Sequence, residues 1–274
     1  MTVGVCSWSL RPEGPDDLVA KVLETGVRAV QLALDPLRQS WGVVETLSAL
    51  DGAGIEVLSG MMMMEGEDYS TFETIQVTGG VRPQQTWEGN LEAARVNARI
   101  AREAGIDLIT FHAGFIPHSP DDPERTQMLD RLKALSAEFQ QQDCRVALET
   151  GQESATTLVT VMKELESHSI GVNFDPANMI LYGMGDPIAA LELLVPYISQ
   201  LHIKDAFPSA VAGEWGSEEP VGAGAVDWSA FFALIKQQSL DADLVIEREA
   251  GDQRVADVVQ ARQLIEAQLG GISR

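Results

Sequence analysis

Cysteine, histidine and positive charge are all scarce in this chain. Two cysteines in 274 residues cannot staple a scaffold. Cys6 sits in VGVCSW and Cys144 in CRVALE, short apolar runs where cysteine serves as a small buried hydrophobe. Nineteen lysines and arginines face 41 acidic residues, a net charge of -22 that leaves no basic surface for nucleic-acid backbones or anionic lipids. Nucleic acid and membrane are therefore not expected partners. No stretch approaches a membrane-spanning length without a charge or a glycine, and no charged segment followed by an apolar run opens the sequence. The cytoplasm is the expected location. Also missing are a GxGxxG opening a helix after the first strand and a GxxxxGK[ST], so dinucleotide and Walker-type nucleotide binding have no local signal.

What the chain does have is 45% hydrophobic residues, enough for one large core, and its length suits one domain over residues 1–274. Short β-branched runs alternate with amphipathic stretches from end to end. Eight strands are predicted, at 2–8, 28–34, 55–59, 108–113, 145–149, 171–175, 198–204 and 243–248. Between them, Met128, Leu129, Leu132, Leu135 and Phe139 mark one helical stripe, and Val255, Val258, Val259, Leu264, Ile265 and Leu269 mark the last. Leu91, Ala94, Ala98 and Ala101 form a narrower stripe that lets a helix lie close to its strands, with Gly105 as its cap. Eight βα units predict an α/β fold of the TIM (β/α)8 barrel type, whose chemistry gathers at the C-terminal strand ends. A doubly wound open sheet is the alternative.

Two connections exceed what a scaffold needs, from about Met61 to Glu88 after strand three and from Ala206 to Val226 after strand seven. Both leave the active end of a barrel and are placed to cover a pocket; the plainer reading is a pair of tolerated surface insertions. Polar groups then close several apolar strands: Glu149 in VALE, Asp175 in GVNFD, His202 in QLHIKD and Glu247 in LVIERE. On neighbouring staves these four converge, and three carboxylates together demand protons or a cation. Three oxygens and an imidazole suit Mn2+, Mg2+ or Co2+, and the ligand types also admit Zn2+. The competing reading makes Asp175 a helix cap, His202 an internal hydrogen-bonding group and the glutamates rim partners of Arg or Lys.

The words HAG (112–114), ALET (147–150), FDPANMILYG (174–183), HIKDA (202–206) and VIERE (245–249), in this order, resemble the sugar isomerase/epimerase superfamily of xylose isomerase-like barrels over almost the whole chain. The resemblance implies one divalent ion held by Glu149, Asp175, His202 and Glu247. It further implies an enzyme whose Glu149 and Glu247 remove and return a proton on opposite faces of a substrate carbon, through an enediolate. A sugar or polyol is the implied small-molecule partner, and a homo-oligomer is compatible with the family. An inosose-type dehydratase of a cyclic polyol ketone, or a sugar-binding protein without catalysis, are the other readings. Where epimerases of this type carry a histidine three residues past the metal aspartate, this chain has Asn178, which can donate to a substrate hydroxyl but cannot titrate. The related DNA-repair endonucleases need many histidines for three zinc ions; here there are only His112, His118, His168 and His202.

Other residues gain a role from position. His112, closing strand four, is a candidate substrate contact; Lys204 shares a face with His202 and reads either as a substrate contact or as a salt-bridge partner for Asp205 or a ligand. Trp8 ends strand one and can wall off a sugar's carbon face. Met61 to Met64 either line a deformable pocket or fill core. Arg248 is expected to pair structurally, and Asp227 to cap the helix that Trp228 begins.

Overall fold

The computed structural model describes residues 1–167, 169–211 and 213–270. Eight parallel strands close into a barrel: β1 (Val3–Cys6), β2 (Ala29–Ala33), β3 (Glu56–Met61), β4 (Leu108–Phe111), β5 (Arg145–Glu149), β6 (Ile170–Phe174), β7 (Ile198–Ile203) and, after a two-stranded ribbon of β8 (Asp205–Phe207) and β9 (Ser217–Glu219), β10 (Asp243–Ile246). Closure is decided at β1, which pairs with β2 through Val5 and Val30 and with β10 through Val3 and Leu244. A doubly wound sheet would leave β1 and β10 apart, so that alternative is excluded. All eight predicted strands are staves of this barrel.

The helical stripes lie where their periodicity places them. In the helix Pro123–Gln140, Met128, Leu129, Leu132, Leu135 and Phe139 are all buried. Ala94, Ala98 and Ala101 are buried in the helix Gln84–Ala104, which begins before the expected end of the first long connection. In the last helix, Arg254–Leu269, Val258 and Ile265 are buried, while Val255, Leu264 and Leu269 pack at the core's edge. Asp227 accepts a hydrogen bond from the Ala230 amide and caps the helix Trp228–Gln237, as its position predicts. Cys6 and Cys144 are buried and unpaired. Among the described residues no helix is long and apolar enough to cross a membrane.

Both long connections are structured. The first contains the helix Phe72–Thr78, with Thr71 and Thr74 forming a reciprocal cap. The second is the β8–β9 ribbon, antiparallel with Asp205 opposite Glu219 and Phe207 opposite Ser217. Its anchor is Asp205, fully buried, which accepts from the amides of Ala206, Gly222 and Val226 and from Trp228 Nε1, at 2.8–3.1 Å. Asp205 is thus no partner of Lys204; its oxygens are consumed in folding the ribbon back. Arg248 binds Glu218 of the ribbon at 2.7 Å and Asp257 of the last helix at 2.8 Å, the structural pairing expected of it.

The first connection ends on a backbone contact that only glycine permits. Gly80 has φ +64°, and a Cβ there would lie 2.1 Å from the Ala113 carbonyl carbon. Gly105, with φ +68°, has open space around the same direction. Gly80→Ala is therefore expected to lower the unfolding free energy in urea by roughly 2 kcal/mol or more, and Gly105→Ala by only about 1 kcal/mol. Equal losses would show that the close approach is not what the first position demands.

Candidate metal centre and the pocket above it

The C-terminal ends of β5, β6, β7 and β10 bring Glu149, Asp175, His202 and Glu247 together. One ligand atom from each lies within 4.8 Å of all the others, and all four residues are buried. His202 Nδ1 is 3.4 Å from Glu149 Oε1, 3.7 Å from Asp175 Oδ2 and 3.4 Å from Glu247 Oε2. The four side chains converge as the metal reading requires, and Asp175 also caps a helix as the competing reading requires, through different oxygens. Asp175 Oδ1 accepts from the amides of Ala177 and Asn178, capping the helix Pro176–Leu181, while Oδ2 turns into the cluster without a hydrogen-bond partner. His202 Nε2 hydrogen-bonds inside the barrel, while Nδ1 has no hydrogen-bond partner. Two buried polar atoms left open toward one point are what a bound cation would satisfy, so these residues fit a divalent metal.

The ring of His202 is oriented by hydrogen bonds across the barrel. Thr110 Oγ1 donates to Met61 Sδ at 2.9 Å and so receives from Gln31 Nε2, at 2.7 Å. That turns Gln31 Oε1 toward His202 Nε2, at 2.7 Å, while Asn173 Nδ2 lies 3.0 Å from the same nitrogen. Nδ1 is thus the ring nitrogen that faces the carboxylates. A second chain runs from Ser59 to Gln200 to Asn173, whose Nδ2 reaches Glu149 Oε2 at 3.3 Å. Cys6 Sγ lies 3.8 Å from Nε2 and within 4.8 Å of a Glu247 oxygen, and burial pushes its thiol well up.

Charge in the cluster is strongly coupled. Burial disfavours ionisation of Glu247, but Lys204 and His202 override it and hold its pKa well below the ordinary value. Burial acts the same way on Glu149, and His112 and His202 lower it nonetheless. At Asp175 burial prevails over Lys204 and raises the pKa. Lys204 Nζ donates to Glu247 Oε2 at 2.9 Å and Glu249 Oε2 at 2.5 Å and lies 3.4 Å from Asn178 Oδ1, so it is a salt-bridge partner of a cluster residue. Burial opposes its charge, yet Glu247 and Glu249 keep it well above the usual lysine range.

Above the cluster opens a cavity of about 580 Å3 lined by all of Trp8, His112, Asn178, Lys204 and Glu247. Trp8 is more than a wall: its Nε1 donates to Glu247 Oε1 at 2.9 Å. Asn178 donates to Glu149 Oε1 at 2.9 Å, so its amide holds a cluster carboxylate. His112 Nε2 is 3.7 Å from the same oxygen, and its Nδ1 has no hydrogen-bond partner. Met61, Met62 and Met63 line the cavity, whereas Met64 is core. The two long connections meet over it: Phe72 of the first contacts Trp215 of the second edge-on, with centroids 5.4 Å apart, and Tyr182 packs against both.

A family model described as a xylose isomerase-like TIM barrel matches residues 19–268. The chain belongs to this family. A xylose isomerase domain protein from Planctomyces limnophilus is 30% identical over 92% of this chain and 89% of its own, with a TM-score of 0.80. Two structures with TM-scores of 0.75 share the fold at lower identity. One is a probable 3-DHS dehydratase, AsbF, from Bacillus anthracis, 17% identical over 97% of this chain and 98% of its own. The other is an L-ribulose 3-epimerase, 14% identical over 98% of this chain and 94% of its own. Among curated proteins, the uncharacterized YihM of Escherichia coli strain K12 is 49% identical over 49 residues, 18% of this chain and only 15% of that protein's length.

Within this family member, the residues that sequence reasoning passed over are the uncharged polar ones inside the barrel. Gln31, Ser59, Thr110, Asn173 and Gln200 are at most 1% exposed, in a layer expected to be filled by branched apolar side chains. Their signal was an uncharged polar letter within an otherwise apolar strand, such as the Gln of AVQLA. Glu67 and Tyr69, which also line the cavity, come from the first long connection, where only the loop's position pointed to them. His118 bonds Thr157 away from the cluster, and His168 lies outside the described residues.

The cage is testable by metal affinity. Asp175→Asn is expected to weaken Mn2+ binding severely, and Gln31→Leu, which touches no open atom, by roughly 10- to 100-fold through loss of the imidazole's orientation. Calorimetric titration giving parental affinity for both would contradict the arrangement. A second outcome concerns Glu153, in the turn after β5, whose pKa burial alone pushes up to about 8. A raised carboxylate pKa means that the folded protein holds this proton more tightly than the unfolded chain. Stability from this group is complete below the unfolded value and is lost as pH rises toward 8. Glu153→Gln should raise the melting temperature at pH 8.5 but not at pH 4.5; the same shift at both would show that the carboxyl's ionisation is not the cause.

Proposed function

We propose that the chain, read as one barrel domain over residues 1–274, is a divalent-metal-dependent isomerase or epimerase of a sugar or polyol, acting by proton abstraction beside a carbonyl. The observation that carries this reading is the placement of Glu149 and Glu247. They stand on staves separated by two others, yet both offer an oxygen to the same small space beneath an open cavity. Mn2+, Mg2+ or Co2+ suits three carboxylates and one imidazole best, with Zn2+ also compatible. Such an ion would supply positive charge beside two substrate oxygens as a carbon-bound proton departs.

The protein's own groups do the rest. Glu149 is kept ionised by the neighbouring imidazoles and is held by Asn178 and Asn173, which suits it to remove a proton. Glu247, held by Trp8 and Lys204, is its counterpart for the opposite face of the carbon. His112, which lines the cavity beside Glu149, can hydrogen-bond a substrate oxygen. Trp8 presents its ring to the ligand's carbon face, and Asn178 and Lys204 set the polar floor. The interior of the cell, where such metabolites are turned over, is the compartment this reading assigns.

The reaction class separates by isotope. Incubating the Mn2+-loaded protein with candidate ketoses in deuterated water should place deuterium on carbon without loss of water. Loss of water would instead identify a dehydratase, and tight binding without label a sugar-binding protein. Glu149→Gln is expected to reduce exchange by at least about 100-fold while leaving the circular dichroism spectrum intact; unchanged turnover would remove Glu149 from the reaction.

A further inference from the structure

The cavity's lining is unlike that of a site for a charged or uniformly hydroxylated ligand. On the side remote from the cluster, the end of β2 and the short helix after it contribute Ala33, Pro36 and the polar Asp35 and Gln39, and the end of β3 contributes Met61, Met62 and Met63. Leu181, Tyr182 and Trp215 continue that surface around the mouth. Among the described residues, the charged lining groups are Asp35, Glu67, Glu247 and Glu249 against the one cation Lys204, with no arginine. Asp35 is paired with Arg38 at 2.6 Å and accepts from the Met63 amide, and Glu67 accepts from the Gly80 amide at 2.9 Å. The Lys204 donors are directed at Glu247, Glu249 and Asn178. A phosphate or carboxylate entering here would shed its hydration, find no unspent cation and face several carboxylates. A hydrocarbon segment would instead bury against flexible methionine and aromatic surface.

We propose that the site takes an uncharged polyol ketone whose end remote from the cluster is hydrocarbon, a deoxy or alkyl- or aryl-substituted terminus, and that it rejects phosphorylated and carboxylated sugars. This inference rests on the metal-centred reading above, because the cluster must grip the polar end for the other end to reach the methionine wall.

The test uses probes with no stereocentre, whose binding is independent of sugar configuration. Acetohydroxamate, butanohydroxamate, hexanohydroxamate and succinate monohydroxamate share one chelating head and differ only in the tail. Each is titrated into the protein with and without Mn2+, followed by calorimetry. Manganese-dependent affinity is expected to rise about fourfold per methylene from acetyl to hexanoyl, with the succinyl compound at least tenfold weaker than the butanoyl one. Met63 is 59% exposed, so Met63→Arg spares the core and should narrow the butanoyl-to-succinyl gap at least threefold. Manganese-dependent binding with a flat series, or a succinyl tail held as tightly as butanoyl, overturns this inference and leaves the metal reading standing. A gap unmoved by Met63→Arg overturns the assignment of the tail to the methionine wall. No manganese-dependent binding by any of the four overturns the metal reading, and this inference with it.

Discussion

Three carboxylates and an imidazole buried within 4.8 Å of one another create a deficit of positive charge that the rest of the structure is organised around. Such a cluster is costly in a water-poor barrel mouth unless protons or a cation supply the balance. Lys204 supplies one charge from the side, held between Glu247 and Glu249. His202 Nδ1 and Asp175 Oδ2, the latter 3.9 Å from Lys204 Nζ, are left without hydrogen bonds. The deficit is thus local and directional, which is the requirement for holding one ion in one place.

Rigidity comes from the hydrogen bonds that each cluster side chain makes to its neighbours. Asp175 is fixed by the helix it caps, His202 by Gln31, Glu149 by Asn173 and Asn178, and Glu247 by Trp8 and Lys204. Barrel closure through β1 and β10 fixes the staves that carry these residues. Groups held this way lose little freedom on binding an ion, so the cost of ordering is met when the barrel folds. Above the cage, the two long connections meet through Phe72, Tyr182 and Trp215 and roof the cavity; the second is folded back on Asp205.

Much of this could be read from the chain because the signals were local. Strand periodicity marked all eight staves, and a charged residue closing an apolar strand is conspicuous, so Glu149, Asp175, His202 and Glu247 stood out. The choice between helix cap and metal ligand for Asp175 could not be made from sequence, since one carboxylate has two oxygens: Oδ1 caps the helix and Oδ2 is left open toward the cluster. The polar layer of Gln31, Ser59, Thr110, Asn173 and Gln200 escaped notice because uncharged side chains hardly disturb an apolar pattern, and their partners lie on strands distant in sequence. Lys204 shares its face with the cluster, as strand alternation requires, but its partners Glu247 and Glu249 belong to the other end of the chain.

Anomalous diffraction at the manganese edge, on crystals soaked in Mn2+, measures the central claim most directly. The account predicts one strong peak per chain within about 2.5 Å of His202 Nδ1, Asp175 Oδ2 and an oxygen from each of Glu149 and Glu247. No peak there, or a peak coordinated by other residues, would contradict it.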